Sequence, residues 1–214
     1  MAIFHLDLSH GSRSGGQSAS AKISYITREG KYENQSDICL FTSCRLPDEY
    51  GNDLDSFWAD ADKYERANAR LFSQLILTLP VEQDLEQNIS LIEEYVQKEL
   101  NGQPYTFAIH EGNKTNPHCH LVFSERKIDG LKRDKGTFFK RANKKNPEKG
   151  GAAKDRKYND RSWIKSTRKG WADSVNFSLK GNKIDKSIDH RSLKDRGLPK
   201  LPKRMSLSRQ NELE

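Results

Sequence analysis

No apolar run in this sequence approaches the ~20 residues needed to cross a bilayer, so no membrane segment is expected. The opening, MAIFHLDLSHGSRSGG, lacks a basic stretch followed by an apolar one, and a secretory leader is not expected either. Cysteine is scarce: Cys39, Cys44 and Cys119 are odd in number and form no C-x-x-C pair. That argues against a disulfide framework and fits a reducing, cytoplasmic setting. There is no Walker-type phosphate loop, which argues against nucleotide hydrolysis, and no internal repeat. At 214 residues the chain has room for one sizeable domain, and two would be cramped.

Charge is abundant, and its placement is more informative than its sum of +7. Residues 1–125 hold 10 Lys+Arg against 19 Asp+Glu, whereas residues 126–161 hold 14 against 5 and residues 162–214 hold 13 against 6. An acidic front and a basic back point either to an anionic polymer bound by the back part or to a solvated basic tail.

The pattern of elements is mixed. Residues 2–8 (AIFHLDL) alternate as an opening strand, and SHGSRSGGQS reads as a Gly/Ser loop. A helix then starts at Ser18, buries Ala19, Ile23 and Ile26, and stops at Gly30. ICLFTS (38–43) is a second strand. Asp53 or Asp55 caps a long helix through DSFWADADKYERANARLF, with Trp58, Ala61, Ala69 and Phe72 on its buried side. QLILTLP (74–80) is a strand, and 84–100 is an amphipathic helix on Leu85, Ile89, Ile92 and Val96. PYTFAIH (104–110) and HCHLVFSE (118–125) are strands joined by the turn-rich EGNKTNP. The basic segment 126–161 has little apolar periodicity and reads as a loop or lid that orders on binding. A last helix packs through Trp163, Thr167, Trp171 and Val175 and closes at Gly181. Together these predict an α+β fold with helices on one face of the sheet.

Two residues apart on a strand, His118 and His120 share a face, and Cys119 points the other way as a small buried hydrophobe. A hairpin brings His110 beside them. Three neutral imidazoles make a divalent-metal site with open positions; the alternative is a polar strand edge or a satisfied core pair. Such a metal beside a basic half suits phosphodiester chemistry. In the first helix Ser18, Lys22, Tyr25 and Glu29 form a stripe opposite the apolar one, with Lys22 and Arg28 a turn either side of Tyr25. Tyr25 is either a nucleophile or an ordinary surface tyrosine, and Tyr32 is a second candidate.

These stretches carry a family resemblance. SRSGGQSASAKISYITREGKY, YERANARLF, the IH-x7-HCHLVFSER block and EKGGA resemble the relaxase domain of MobA/MobL-type plasmid mobilisation proteins, within the HUH endonucleases. The likeness runs from Ala2 to about residue 193, about nine tenths of the chain. The tyrosine helix precedes the histidine hairpin, as in relaxases, whereas rolling-circle initiators place their tyrosine after it. A rolling-circle reading would use Tyr158. A silent single-stranded DNA-binding module and a generic zinc hydrolase are further alternatives.

The resemblance implies a central antiparallel sheet of about five strands. It implies Tyr25 as nucleophile and His110, His118 and His120 as ligands of a divalent ion, Mn or Mg, with Zn, Ni or Co as alternatives. His5 matches a family position without a clear role. The implied substrate is single-stranded origin-of-transfer DNA beside an inverted repeat, cut through a 5′-phosphotyrosyl bond. Accessory mobilisation proteins and conjugative coupling and secretion machinery are the implied partners. The relaxase domain would span residues 1–185 with 126–161 as its lid, and 186–214 would be a basic, Pro-containing segment or linker. DNA contacts are expected from Lys22, Arg28, Lys132, Arg133, Lys140, Arg141, Lys144 and Lys145, with Phe138 and Phe139 either stacking on bases or packing inside. One departure is clear. Relatives often carry acidic residues in the strand after the long helix, where this chain reads Gln74-Leu75-Ile76.

Overall fold

A computed structural model of the chain describes residues 4–112, 116–192 and 194–197. Strands β1 (Leu6–Ser12), β2 (Cys39–Arg45), β3 (Arg70–Thr78), β4 (Tyr105–His110) and β5 (His118–Phe123) form one antiparallel sheet in the order β1-β3-β5-β4-β2. Helices α1 (Ala19–Thr27), α2 (Leu54–Tyr64), α3 (Leu85–Glu99) and α4 (Arg161–Gly181) complete an α+β fold. The expected start of β1 at residues 2–3, the middle of the β4–β5 turn at 113–115, and the segment 198–214 lie outside the described residues.

The alternation of β5 divides the interior. Cys119, Leu121 and Phe123 face one way with Leu75, Leu77, Phe107 and Ile109, under the apolar sides of α3 and α4. Val122 and Ala108 face the other way, under Ile23 and Ile26 of α1 and Phe57 and Trp58 of α2. The helices therefore cover both faces of the sheet, where one was expected. Each helix pair buries its own stripe, and a two-sided apolar sheet leaves neither face to water.

Several boundaries differ from the sequence reading for visible reasons. β1 runs on through His10 and Gly11, since an edge strand can carry polar residues; a Cβ at Gly11 would sit 2.2 Å from the Phe72 ring. Arg28 ends α1 in the left-handed region, ahead of Gly30. α2 stops at Tyr64 because Glu65 turns extended and buries its carboxylate against Arg126. Phe72 consequently sits in β3, not in a helix. In α3 the buried side holds Leu91, Ile92, Tyr95 and Val96, while Leu85 is exposed. Asn88 takes an inward position by donating to the Pro80 and Gln83 carbonyls.

The basic segment 126–161 is folded against the protein through short 3-10 turns. Buried Arg126 is its staple: it pairs with Glu65 at 2.6 Å and donates to the carbonyls of Phe139, Lys140 and Ala152. Phe138 and Phe139 are each 1% exposed and pack on Phe57, so the packing alternative holds and neither offers a face for base stacking.

Candidate metal and nucleophile site

Strand register assembles the histidines. His110 pairs with His118 across β4 and β5, and His120 lies opposite Ala108 one step along the same face. The ligand-capable atoms of the three imidazoles lie within 4.8 Å of one another. His110 donates its Nε2–H to the Ile26 carbonyl of α1 at 2.7 Å, which ties the histidine to the tyrosine helix. His118 donates Nδ1–H to the Asn116 carbonyl at 3.0 Å, leaving its Nε2 lone pair free. Gln74 contacts His120 Nδ1 at 2.7 Å and so orients that ring. Burial, reinforced by His110 and His118, pushes His120 down to about 2. Burial also lowers His110, with Arg28 adding to it and the Ile26 contact opposing. Held neutral, an imidazole keeps a lone pair for a metal.

Asp37 was not foreseen. It precedes β2 by two residues, and the pairing of Cys39 with His110 carries it alongside the cluster. Its Oδ2 lies 3.3 Å from His110 Nδ1, 3.5 Å from His118 Nε2 and 3.3 Å from the Arg28 guanidinium. The Gly112 N–H fixes its other oxygen at 2.8 Å. No local motif marks this residue; only the register of β2 against β4 would have found it. The set of three imidazoles with an adjacent carboxylate fits a divalent cation.

Tyr25 stands half-buried, its ring 6.0 Å from that of His120. α1 is pinned at both ends. At its start Asp62 accepts from Ser18 Oγ, the Ala19 and Ser20 N–H groups and Ser20 Oγ, at 2.7–3.0 Å. At its end the Arg28 side chain donates to the Tyr25 carbonyl at 2.6 Å and the Asp37 carbonyl at 2.7 Å, and reaches His110 Nδ1 at 3.1 Å. The Arg28 guanidinium lies 4.5 Å from the Tyr25 ring centre and the Lys22 amine 5.2 Å, so two cations flank the phenol. Tyr32 meets that ring edge-on at 5.4 Å.

The remaining candidates scatter. Tyr158 is 3% exposed between Phe123 and Trp163, on the Cys119 side of the sheet, which removes it as a nucleophile for these histidines. The exposed His5 sits in register with Thr78 and His118, two strands over, and stays outside the cluster. Arg28 is an internal brace, not a surface contact. Arg133 is locked by Asp129 at 2.5 Å. Lys132 and Lys140 are exposed and neither lines the cleft beside Glu65 that Arg141, Lys144 and Lys145 line. Among the described residues no helix is long and apolar enough to cross a membrane.

Comparison with known proteins sets this geometry in context. The model of the MobA/MobL family matches residues 16–209. Mobilization protein A of Escherichia coli is 46% identical over 204 residues, which is 94% of this chain and 29% of that protein. A 43 kDa relaxation protein of Salmonella typhimurium is 35% identical over 210 residues, 92% of this chain and 56% of its own. The chain thus spans well under two thirds of these relatives' lengths. A solved structure described as the molecular basis of vancomycin resistance transfer in Staphylococcus aureus superposes with a TM-score of 0.68 at 25% identity. It covers 89% of this chain and all of its own.

Proposed function

We propose a function on one premise: the chain belongs to the MobA/MobL family. It is a relaxase domain that nicks and reseals one strand of DNA at a plasmid origin of transfer. The Tyr25 oxygen attacks phosphorus, an O–P bond to tyrosine forms, and the bond to the 3′ oxygen breaks to leave a 3′-OH. Attack by a 3′-OH on the phosphotyrosine reverses the step and reseals the strand, and ATP is not required because the phosphodiester energy is conserved.

The observation that carries this reading is the Tyr25 ring held 6.0 Å from His120 by a helix braced at both ends. Lys22 and Arg28 place positive charge where negative charge develops on the phenol and phosphoryl oxygens. A divalent ion held by His110, His118 and His120 would polarise a non-bridging oxygen and neutralise charge there. Gln74 holds the His120 ring, the Ile26 carbonyl and Arg28 hold that of His110, and the Asn116 carbonyl holds that of His118. Single-stranded DNA beside an inverted repeat is the substrate, with accessory mobilisation proteins and conjugative coupling and secretion machinery as partners.

The test uses single-stranded oligonucleotides tiled across the origin region of the replicon that encodes the chain, with Mn2+ or Mg2+, on a denaturing gel. A covalent adduct should form, vanish on chelation and in Tyr25→Phe, and persist in Tyr32→Phe. An adduct that survives Tyr25→Phe overturns the assignment, and binding without cleavage under all metals favours the silent DNA-binding module.

A further inference from the structure

A metal arriving at the histidines would meet a cation that belongs to the chain. A neutral imidazole has one N–H and one lone pair. In His110 the N–H is at Nε2, because its partner at 2.7 Å is the Ile26 carbonyl, which only accepts. The lone pair is therefore at Nδ1. That atom is already in use: the Arg28 guanidinium donates to it through Nη2 at 3.1 Å.

The same guanidinium nitrogen lies 3.3 Å from Asp37 Oδ2, and Oδ2 lies 3.3 Å from His110 Nδ1. The three atoms form a nearly equilateral triangle, with a cation at one corner and a lone pair and a carboxylate at the others. Oδ2 is also 3.5 Å from His118 Nε2, the free lone pair of that ring. Ligand atoms that share one divalent ion at ~2.1 Å lie ~3.0–3.5 Å apart. His110 Nδ1, Asp37 Oδ2 and His118 Nε2 have neighbouring distances of that size, and Arg28 covers two of the three.

An ion at those atoms and the guanidinium exclude each other. Both need the His110 lone pair, arginine does not give up its proton, and like charges at such a distance repel. Arg28 is well fitted to its place. Its side chain is 8% exposed, and its other nitrogens donate to the Asp37 and Tyr25 carbonyls at 2.7 and 2.6 Å. Its backbone holds φ at 61°, a left-handed conformation uncommon for arginine.

We infer that Arg28 is an internal competitor of the metal: its guanidinium seals His110 and Asp37 until an ion displaces it. The inference rests on the proposed metal role of the histidines and not on DNA cleavage. It couples the two halves of the site. The guanidinium lies 4.5 Å from the Tyr25 ring centre and also holds the Tyr25 carbonyl. Displaced from Asp37 and His110, its charge stays beside the tyrosine.

Calorimetry of Mn2+ binding to the full chain, wild type against Arg28→Gln, tests it. Removing a competitor should tighten binding about tenfold, the gain expected if the guanidinium leaves its seat about a tenth of the time. Removing a group that only orients His110 would weaken binding, so the sign decides. A circular dichroism spectrum matching wild type shows that the variant is folded. The second readout needs no variant. Phenylglyoxal, which modifies accessible guanidinium groups, should spare Arg28 in chelator and modify it when Mn2+ is present, read by peptide mass spectrometry. Arg126, buried in its pair with Glu65, should stay unmodified in both. Equal or weaker Mn2+ binding in the folded variant, or an unreactive Arg28 in the loaded wild type, overturns the competition and leaves the metal reading standing. Wild-type protein that binds no Mn2+, or binding that survives His120→Gln, removes the metal reading and the competition together. Neither readout uses DNA, so both are separable from the Tyr25 adduct.

Discussion

The histidine end and the cleft end of this molecule reach order by opposite means. At the histidine end, position comes from backbone register: three imidazoles converge because β4 pairs with β5, and Asp37 joins them because β2 pairs with β4. At the cleft end an isolated antiparallel bridge, Arg126 with Lys154, takes the place of a sheet. There a buried ion pair, Glu65 with Arg126, and two core phenylalanines fasten a segment that has no periodicity of its own. The three histidines are set by strands, and the exposed cations of the cleft are set by a stapled loop.

The largest test of this contrast removes the staple. Glu65→Ala leaves Arg126 buried and uncompensated and should cost about 3–5 kcal/mol, read by urea unfolding. If the segment were a loosely held lid, the loss would be under about 1 kcal/mol. A second test probes the other end by pH. An unfolded histidine titrates near 6.5, whereas burial holds His120 at about 2 and lowers His110 as well. Above pH 6.5 both states are neutral and the stability is fully present. Below it the unfolded chain takes up protons that the fold excludes, and stability falls. For His120 alone the loss at pH 5 is on the order of 2 kcal/mol, 1.5 units at ~1.36 each. Urea melts of metal-free protein at pH 7.5 and 5.0 measure it, and His120→Gln should remove that share; pH-independent stability contradicts the neutral cluster.

Smaller effects sharpen the division. Asp37→Asn should weaken Mn2+ binding about tenfold by calorimetry, with little change in DNA affinity, because it alters the charge and support around the ligands. Lys132→Ala should change DNA affinity less than about twofold, since this exposed lysine lies outside the cleft, next to Asp129 and Glu49. A large loss there would mean that the basic segment acts as an undivided patch.

The same contrast explains what could be read in advance. The strand and helix around each chemically marked residue were legible: Ser18 caps α1, His110 ends β4, His118 begins β5, and Cys119 faces the core as expected. Periodicity carries that information locally. Residues whose role depends on distant pairing were not legible. Asp37 sits in an unremarkable ENQSD turn, and Glu65 looked like the middle of a helix. In the segment 126–161 charge was visible, but the packing of Phe138 and Phe139 on Phe57 was not, because two adjacent aromatics define no period. Layering on one face failed for a related reason: amphipathic helices announce an apolar side without saying which side of a sheet receives it.

The central claim is that Tyr25, set against three histidines, is the group that becomes joined to DNA. The most direct measurement is mass spectrometry of a tryptic digest of the covalent complex formed with an origin-region oligonucleotide. Tyr25 falls in the peptide ISYITR (23–28), and Tyr32 begins a separate one. The account predicts a nucleotide-bearing mass on ISYITR, absent from Tyr25→Phe. A nucleotide on the Tyr32 peptide, or an adduct on neither, contradicts it.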